Sequence, residues 1–161
     1  MQFRCKLSDT IIMSRLIRWG SPYKLGHQEI DLQHEQIIQL LNELHGHWEA
    51  NVTRQELSGH LAQLVDATVT HFLTEERLMV SNRYPRYQSH KAEHDAFAAA
   101  VVSFQQKFEA GEVGFDDALF DYLSTWLRNH LIASDRPMGR VICRKVPAGG
   151  KAAKAALRRR P

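Results

Sequence analysis

Five histidines and two carboxylates stand where apolar stripes need hydrophobic residues. His34 lies four residues after Ile30 and three before Ile37, while His71 and Glu75, four apart, fall between Thr68 and Leu78. His90 and His94 precede Phe97 at spacings of four and three, His130 follows Leu127 by three, and Asp135 comes five later. Residues three or four apart share one face of a helix, so every stripe aims a histidine inward and two add a carboxylate. A single histidine of this kind is most simply a hydrogen-bonded core residue; the set asks for more. Buried without partners, Glu75 and Asp135 would each cost on the order of several kcal/mol or be forced neutral. A central cation removes that cost, because carboxylates and neutral imidazoles are metal ligands. The set is too large for one tetrahedral zinc and too rich in nitrogen for calcium or magnesium. It suits two six-coordinate sites for a transition metal such as iron, with carboxylates spanning the pair. Compared with the Glu-rich sites of ferritin-like bundles, its smaller negative charge favours metals that stay reduced until a ligand arrives.

The elements that must carry these residues read as helices throughout. Ile30, Ile37, Ile38, Leu41, Leu44 and Trp48 recur with helical period until Asn51-Val52 breaks it. Thr53-Arg-Gln-Glu56 has the form of a capping box and opens a second helix through Leu57, Leu61, Leu64 and Phe72, which Asn82 and Pro85 end. Phe97, Val101, Phe104 and Phe108 mark a third, stopped at Gly111, and a fourth from about Asp116 carries Leu119, Leu123, Trp126 and Leu127. Pro137 is expected to close it, with Asp135 just past its last turn. Four helices with short connections predict an all-α, up-down-up-down antiparallel four-helix bundle. In that arrangement the starts of helices one and three lie beside the ends of two and four, which brings all seven residues to one level.

The chain is 161 residues long with 43% apolar and 24% charged residues, which excludes collagen-like and wholly disordered classes and leaves room for one core. No apolar run is long enough to span a membrane. The first residues lack a clean hydrophobic signal region, and Cys5 and Cys143 form no CxxC motif; both point to a reducing cytoplasm. The net charge of +3 hides an asymmetry: residues 136–161 hold nine basic and no acidic residues, leaving 1–135 with 12 basic against 18 acidic. We expect an N-terminal extension over 1–18, with Met13 an alternative start, a folded unit over 19–139, and a flexible basic tail over 140–161. By charge alone the tail can contact an anionic surface, but it has no interleaved aromatic residues to stack on nucleic-acid bases.

The ordered set Ile30-Asp-Leu-Gln-His34, His71-Phe-Leu-Thr-Glu75-Glu76, His90-Lys-Ala-Glu-His94 and Trp126-Leu-Arg-Asn-His130-Leu-Ile-Ala-Ser-Asp135 resembles the hemerythrin family, in particular its bacterial members. Trp19 and Tyr23-Lys-Leu-Gly-His27 are similar to the segment that leads into the bundle there, so the likeness spans Trp19 to Gly139. The resemblance implies one iron held by His34 and His71 and a second held by His90, His94 and His130. It also implies that Glu75 and Asp135 bridge them with an oxo or hydroxo group. It implies that dioxygen binds reversibly at the two-histidine iron, for transport, storage or local delivery, and that Leu127 lines the O2 pocket. On this reading the protein is a carrier and not an enzyme. An O2-sensing module and a diiron enzyme reducing peroxide or nitric oxide are the alternatives, and no added acid, base or nucleophile beside the site favours the enzyme. Arg128, more polar than the pattern suggests beside Leu127, is expected to snorkel outward. His45 and His47 are expected to meet helix-end carbonyls or solvent, and Trp126 to orient a ligand or pack in the core.

Overall fold

The computed structural model describes residues 15–143. The alternative start at Met13 and residues 144–161 of the tail expected over 140–161 lie outside them, while residues 140–142 of that tail are helical. Four long helices follow one another: α1 (Gln28–Glu49), α2 (Arg54–Ser81), α3 (Tyr87–Glu109) and α4 (Asp117–His130). They form the expected four-helix bundle. Its starts and stops follow the local chemistry. Thr53 accepts a hydrogen bond from the backbone N–H of Glu56, whose side chain caps Thr53 in return. Asp116 accepts from Leu119 N–H to open α4, and α3 ends into Gly111, whose φ of 81° needs the missing Cβ.

One expectation fails at the end of the fourth helix. Pro137 does not close it. After His130 the chain makes a π-helical turn, Leu131–Asp135, and continues as α5 (Arg136–Ile142). Pro137 sits in the first turn of α5, where its missing N–H is least needed. The wide turn has a consequence for the ligands. In an α-helix residues five apart are rotated by about 140°, but the i→i+5 repeat of a π turn brings them onto one side. His130 and Asp135 are five apart, and both point into the bundle.

The larger of two apolar core clusters includes Ile37, Leu41, Leu61, Phe72, Phe97, Phe120, Leu123 and Leu127, and Ile30, Met79, Tyr84 and Met138 form the second. Phe120 joins α4 to α1 through Trp48 and His45, and Trp126 joins it to α3 by stacking on Phe97 with ring centroids 3.8 Å apart. His45 is therefore a core residue, buried against Phe120 rather than turned to solvent, with its Nδ1 also buried, 3.5 Å from Glu49. His47 stacks on His60. Trp126 packs between Phe97 and His130.

The chain before α1 also packs on the bundle. Ile17 is buried, and its backbone exchanges two hydrogen bonds with the Asn42 amide at 3.1 and 2.8 Å. Arg128, expected to snorkel outward, is instead half-buried. Its guanidinium donates to the Leu16 carbonyl and to Ser124 Oγ, each at 3.1 Å, so it pins this lead-in segment. Leu25 lies so close to α5 that a Cβ added at Gly139 would sit 3.0 Å from Leu25 Cβ. Among the described residues no helix is long and apolar enough to cross a membrane.

Candidate metal centre

All seven residues meet in one buried layer. His34, Glu75 and Asp135 are fully inaccessible, and His71, His90, His94 and His130 are at most 4% exposed. Each helix contributes: α1 gives His34, α2 gives His71 and Glu75, α3 gives His90 and His94, α4 gives His130, and the π turn gives Asp135.

Their ligand atoms fall into two groups, each spanning no more than 4.8 Å: Glu75, His90, His94, His130 and Asp135 in one, His34, His71, Glu75 and Asp135 in the other. Both carboxylates belong to both groups, and each divides its oxygens between them. Glu75 Oε2 faces Nε2 of His90 and His94 at 3.3 and 3.4 Å, while Oε1 faces Nε2 of His71 and His34 at 3.7 and 3.8 Å. Asp135 Oδ1 lies 3.1 Å from Nε2 of both His90 and His130, and Oδ2 lies 3.3 Å from Nε2 of His34. Each carboxylate thus presents one oxygen to each of two donor groups that could hold a cation.

The donor spacing also carries information. Nε2 of His130 is 3.2 Å from that of His90 and 3.0 Å from that of His94. Neighbouring donors at about 2.1 Å from one ion are separated by about 3.0 Å in an octahedron and about 3.4 Å in a tetrahedron. The spacings within this group run from 3.0 to 3.4 Å and so span both geometries. Both oxygens of Glu75 and of Asp135 are buried without hydrogen-bond partners, as is His34 Nε2. Buried carboxylates are rarely left so, and a cation between them satisfies all these atoms at once.

Outside the ligand layer, three histidines use their second nitrogen. His71 Nδ1–H donates to Gln33 Oε1 (3.3 Å), His94 Nδ1–H to Glu76 Oε1 (3.3 Å) and His130 Nδ1–H to Glu93 Oε2 (2.9 Å). Ser134 Oγ donates to the same Glu93 oxygen at 2.6 Å. These bonds fix the tautomer that leaves the Nε2 lone pair aimed at the centre. The sequence reading assigned no role to Gln33, Glu76 or Glu93. The available signal is their position, each next to a ligand along the chain.

Without metal, the cluster divides its charge unevenly. Burial, reinforced by the Asp135 charge, raises Glu75 to about 7. Burial works against the Asp135 carboxylate too, but the charge and close approach of His130, with the close approach of His34 and His90, hold it well below its usual range. Burial lowers His90, yet the Asp135 and Glu75 carboxylates, 3.1 and 3.3 Å from its Nε2, outweigh this and raise it to about 9. His94 is pushed down to about 2 by burial and by His130 and His90, and His71 goes down through burial and His34. At pH 7 the competing protons therefore sit on His90 and partly on Glu75, and a cation must displace them. Its apparent affinity for the apoprotein is expected to strengthen as pH rises from 6 towards about 9, with at least about one proton released per chain at pH 7. Titration in weak buffer with a pH indicator measures this directly; metal uptake independent of pH across that range would contradict it.

An apolar cavity of about 40 Å³ adjoins the layer, with His71 and His130 at its wall and Ile37, Leu41, Phe72 and Leu127 among its lining. Thr68 also lines it, but its hydroxyl is committed to the Leu64 carbonyl at 2.7 Å. The space is of the size that holds a water or a diatomic molecule.

Residues 25–138 match the family described as Hemerythrin HHE cation binding domain. A bacteriohemerythrin of Stenotrophomonas maltophilia is 36% identical over 121 residues, 75% of this chain and 78% of that protein. One of Methylococcus capsulatus is 35% identical over 109 residues, 68% of this chain and 82% of that protein. Among solved structures, a wild-type hemerythrin is similar with a TM-score of 0.74 and 31% identity, over 79% of this chain and 98% of the other.

Proposed function

The chain belongs to the hemerythrin family, and on that premise we propose that its bundle holds two non-heme irons and binds dioxygen reversibly, for transport, storage or local delivery. The observation that carries this reading is the division of Glu75 and Asp135 between two nitrogen sets, His34 and His71 on one side, His90, His94 and His130 on the other. A bound iron pair, held by these seven residues, would supply the reversible two-electron chemistry that O2 binding needs.

The protein's part is positioning and exclusion. His34, His71, His90, His94 and His130 present Nε2 donors from four stiff helices, so the centre costs little reorganisation. The two carboxylates offset the positive charge, which makes a buried dication pair tolerable. Glu75 and His71 are one helical turn apart on α2, and His90 and His94 likewise on α3, so backbone hydrogen bonding holds their relative placement. Leu127 and Phe72 keep the adjoining cavity dry, and the committed Thr68 hydroxyl offers no proton to a ligand there. A dry, proton-poor wall favours return of O2 over its reduction. This favours a carrier over a peroxide- or nitric-oxide-reducing enzyme.

An anaerobic titration tests the reading. The diferrous protein is expected to take up about one O2 per two irons, with a visible charge-transfer band that disappears on deoxygenation and returns on re-exposure. Irreversible bleaching to the diferric state in the first cycle, or catalytic consumption of O2, would contradict reversible carriage.

A further inference from the structure

We propose that Glu76 and Glu93 make the pocket of His90, His94 and His130 the tighter half of the centre, so that it fills first and the His34–His71 half fills last. The inference rests on the dinuclear reading above and adds an order of loading to it.

The outer contacts follow one rule around the bundle. Gln33 of α1 reaches His71 of α2, Glu76 of α2 reaches His94 of α3, and Glu93 of α3 reaches His130 of α4. The three partners differ in charge. A carboxylate that accepts an Nδ1–H pulls the proton outward and leaves the ring a stronger donor through Nε2. An amide oxygen does this only through its dipole. Gln33 has no further freedom to help, because its NH2 group donates to Thr74 Oγ1 at 3.0 Å, which in turn donates to the Thr70 carbonyl. His34 Nδ1 has no hydrogen-bond partner.

The two halves are therefore unequal beyond their ligand count. One has three imidazoles, two of them backed by anions and the third, His90, unsupported at Nδ1; the other has two, one backed by a neutral amide and one unsupported. Glu75 and Asp135 give one oxygen to each half, so the bridges do not restore the balance. Each outer anion acts in part only. Glu76 shares its charge with Lys91 at 3.4 Å. Glu93 meets no lysine or arginine among the described residues, but its side chain is 41% exposed and so screened by water. Removing both charges should thus exceed either single change.

Cobalt(II) is a suitable probe, since its absorption reports coordination without dioxygen chemistry. Calorimetric and optical titration of the full apoprotein with Co2+ should resolve two steps of one ion each, separated by at least about tenfold in affinity. Replacing both carboxylates by isosteric amides, Glu76→Gln with Glu93→Gln, keeps acceptors in place. It should weaken the first step about 10–100-fold and leave the second nearly unchanged. Gln33→Glu should act oppositely and strengthen the second step, and it decides the matter if the double variant does not fold. Unchanged steps in the double variant, or equal weakening of both, would overturn the proposal, as would no gain in Gln33→Glu. Binding of two Co2+ in one unresolved step would remove the loading order alone. Uptake of a single ion would overturn the dinuclear reading and this inference with it.

Discussion

In the metal-free protein Glu75→Gln is expected to raise stability above pH 7, and in the metal-loaded protein to lower it. The opposite signs follow from one carboxylate. Burial and Asp135 raise Glu75 from its usual range to about 7 in the fold. A carboxyl group whose folded pKa is raised contributes stability below its unfolded value near 4.5 that is lost as pH climbs through the folded value. Above pH 7 the apoprotein thus carries an ionised Glu75 at a cost of up to about 3 kcal/mol, which a neutral amide of the same shape avoids. The loaded protein reverses this. Glu75 gives one oxygen to each nitrogen set, so its loss removes a ligand from both sites. Stabilisation by a ligand at about 1,000 times its Kd is about 4 kcal/mol, and most of this should disappear with the metal. Thermal or urea unfolding of both proteins, with and without metal, at pH 5 and pH 8 measures all four quantities. The same sign in both states would show that Glu75 acts as a packing residue.

Leu127→Ala is expected to cost about 2–5 kcal/mol and to shorten the lifetime of the oxygenated protein at least about tenfold. Leu127 is 7% exposed and lines the cavity beside His71 and His130. Truncation leaves a void that tightly packed neighbours close only in part. An enlarged space with imidazole edges at its wall admits water more readily than the present one, and water brings protons to a site that must lack them. Leu127→Met keeps the volume and should preserve both properties. Stability is read by urea unfolding and lifetime by the decay of the visible band. A large stability loss with an unchanged lifetime would place Leu127 in the core alone.

Much of this centre is legible in the sequence because a metal site breaks the hydrophobic pattern that surrounds it. His34, His71, Glu75, His90, His94 and His130 interrupt apolar stripes at helical spacing, and bundle topology puts them at one level. The end of the fourth helix is harder to read. Pro137 is the usual mark of a stop, yet two residues after a π turn it falls in the first turn of a new helix. The five-residue step from His130 to Asp135 was the signal of that turn. The outer partners were hidden for a different reason. Gln33, Glu76 and Glu93 each neighbour a ligand in the chain, about 100° around the helix from it, and so read as solvent-facing. Only the packing of successive helices shows that each reaches the histidine of the next. His45 was misread similarly, because a position near a helix end gives no hint that Phe120 will cover it.

The metal content of the chain purified under aerobic conditions tests the central claim most directly. Two nitrogen sets sharing two carboxylates predict about two irons per chain, with the visible absorption of an oxo-bridged ferric pair, and loss of both signals together on chelation. One zinc per chain, or iron bound without the signature of a coupled pair, would contradict a dinuclear centre built from His34, His71, Glu75, His90, His94, His130 and Asp135.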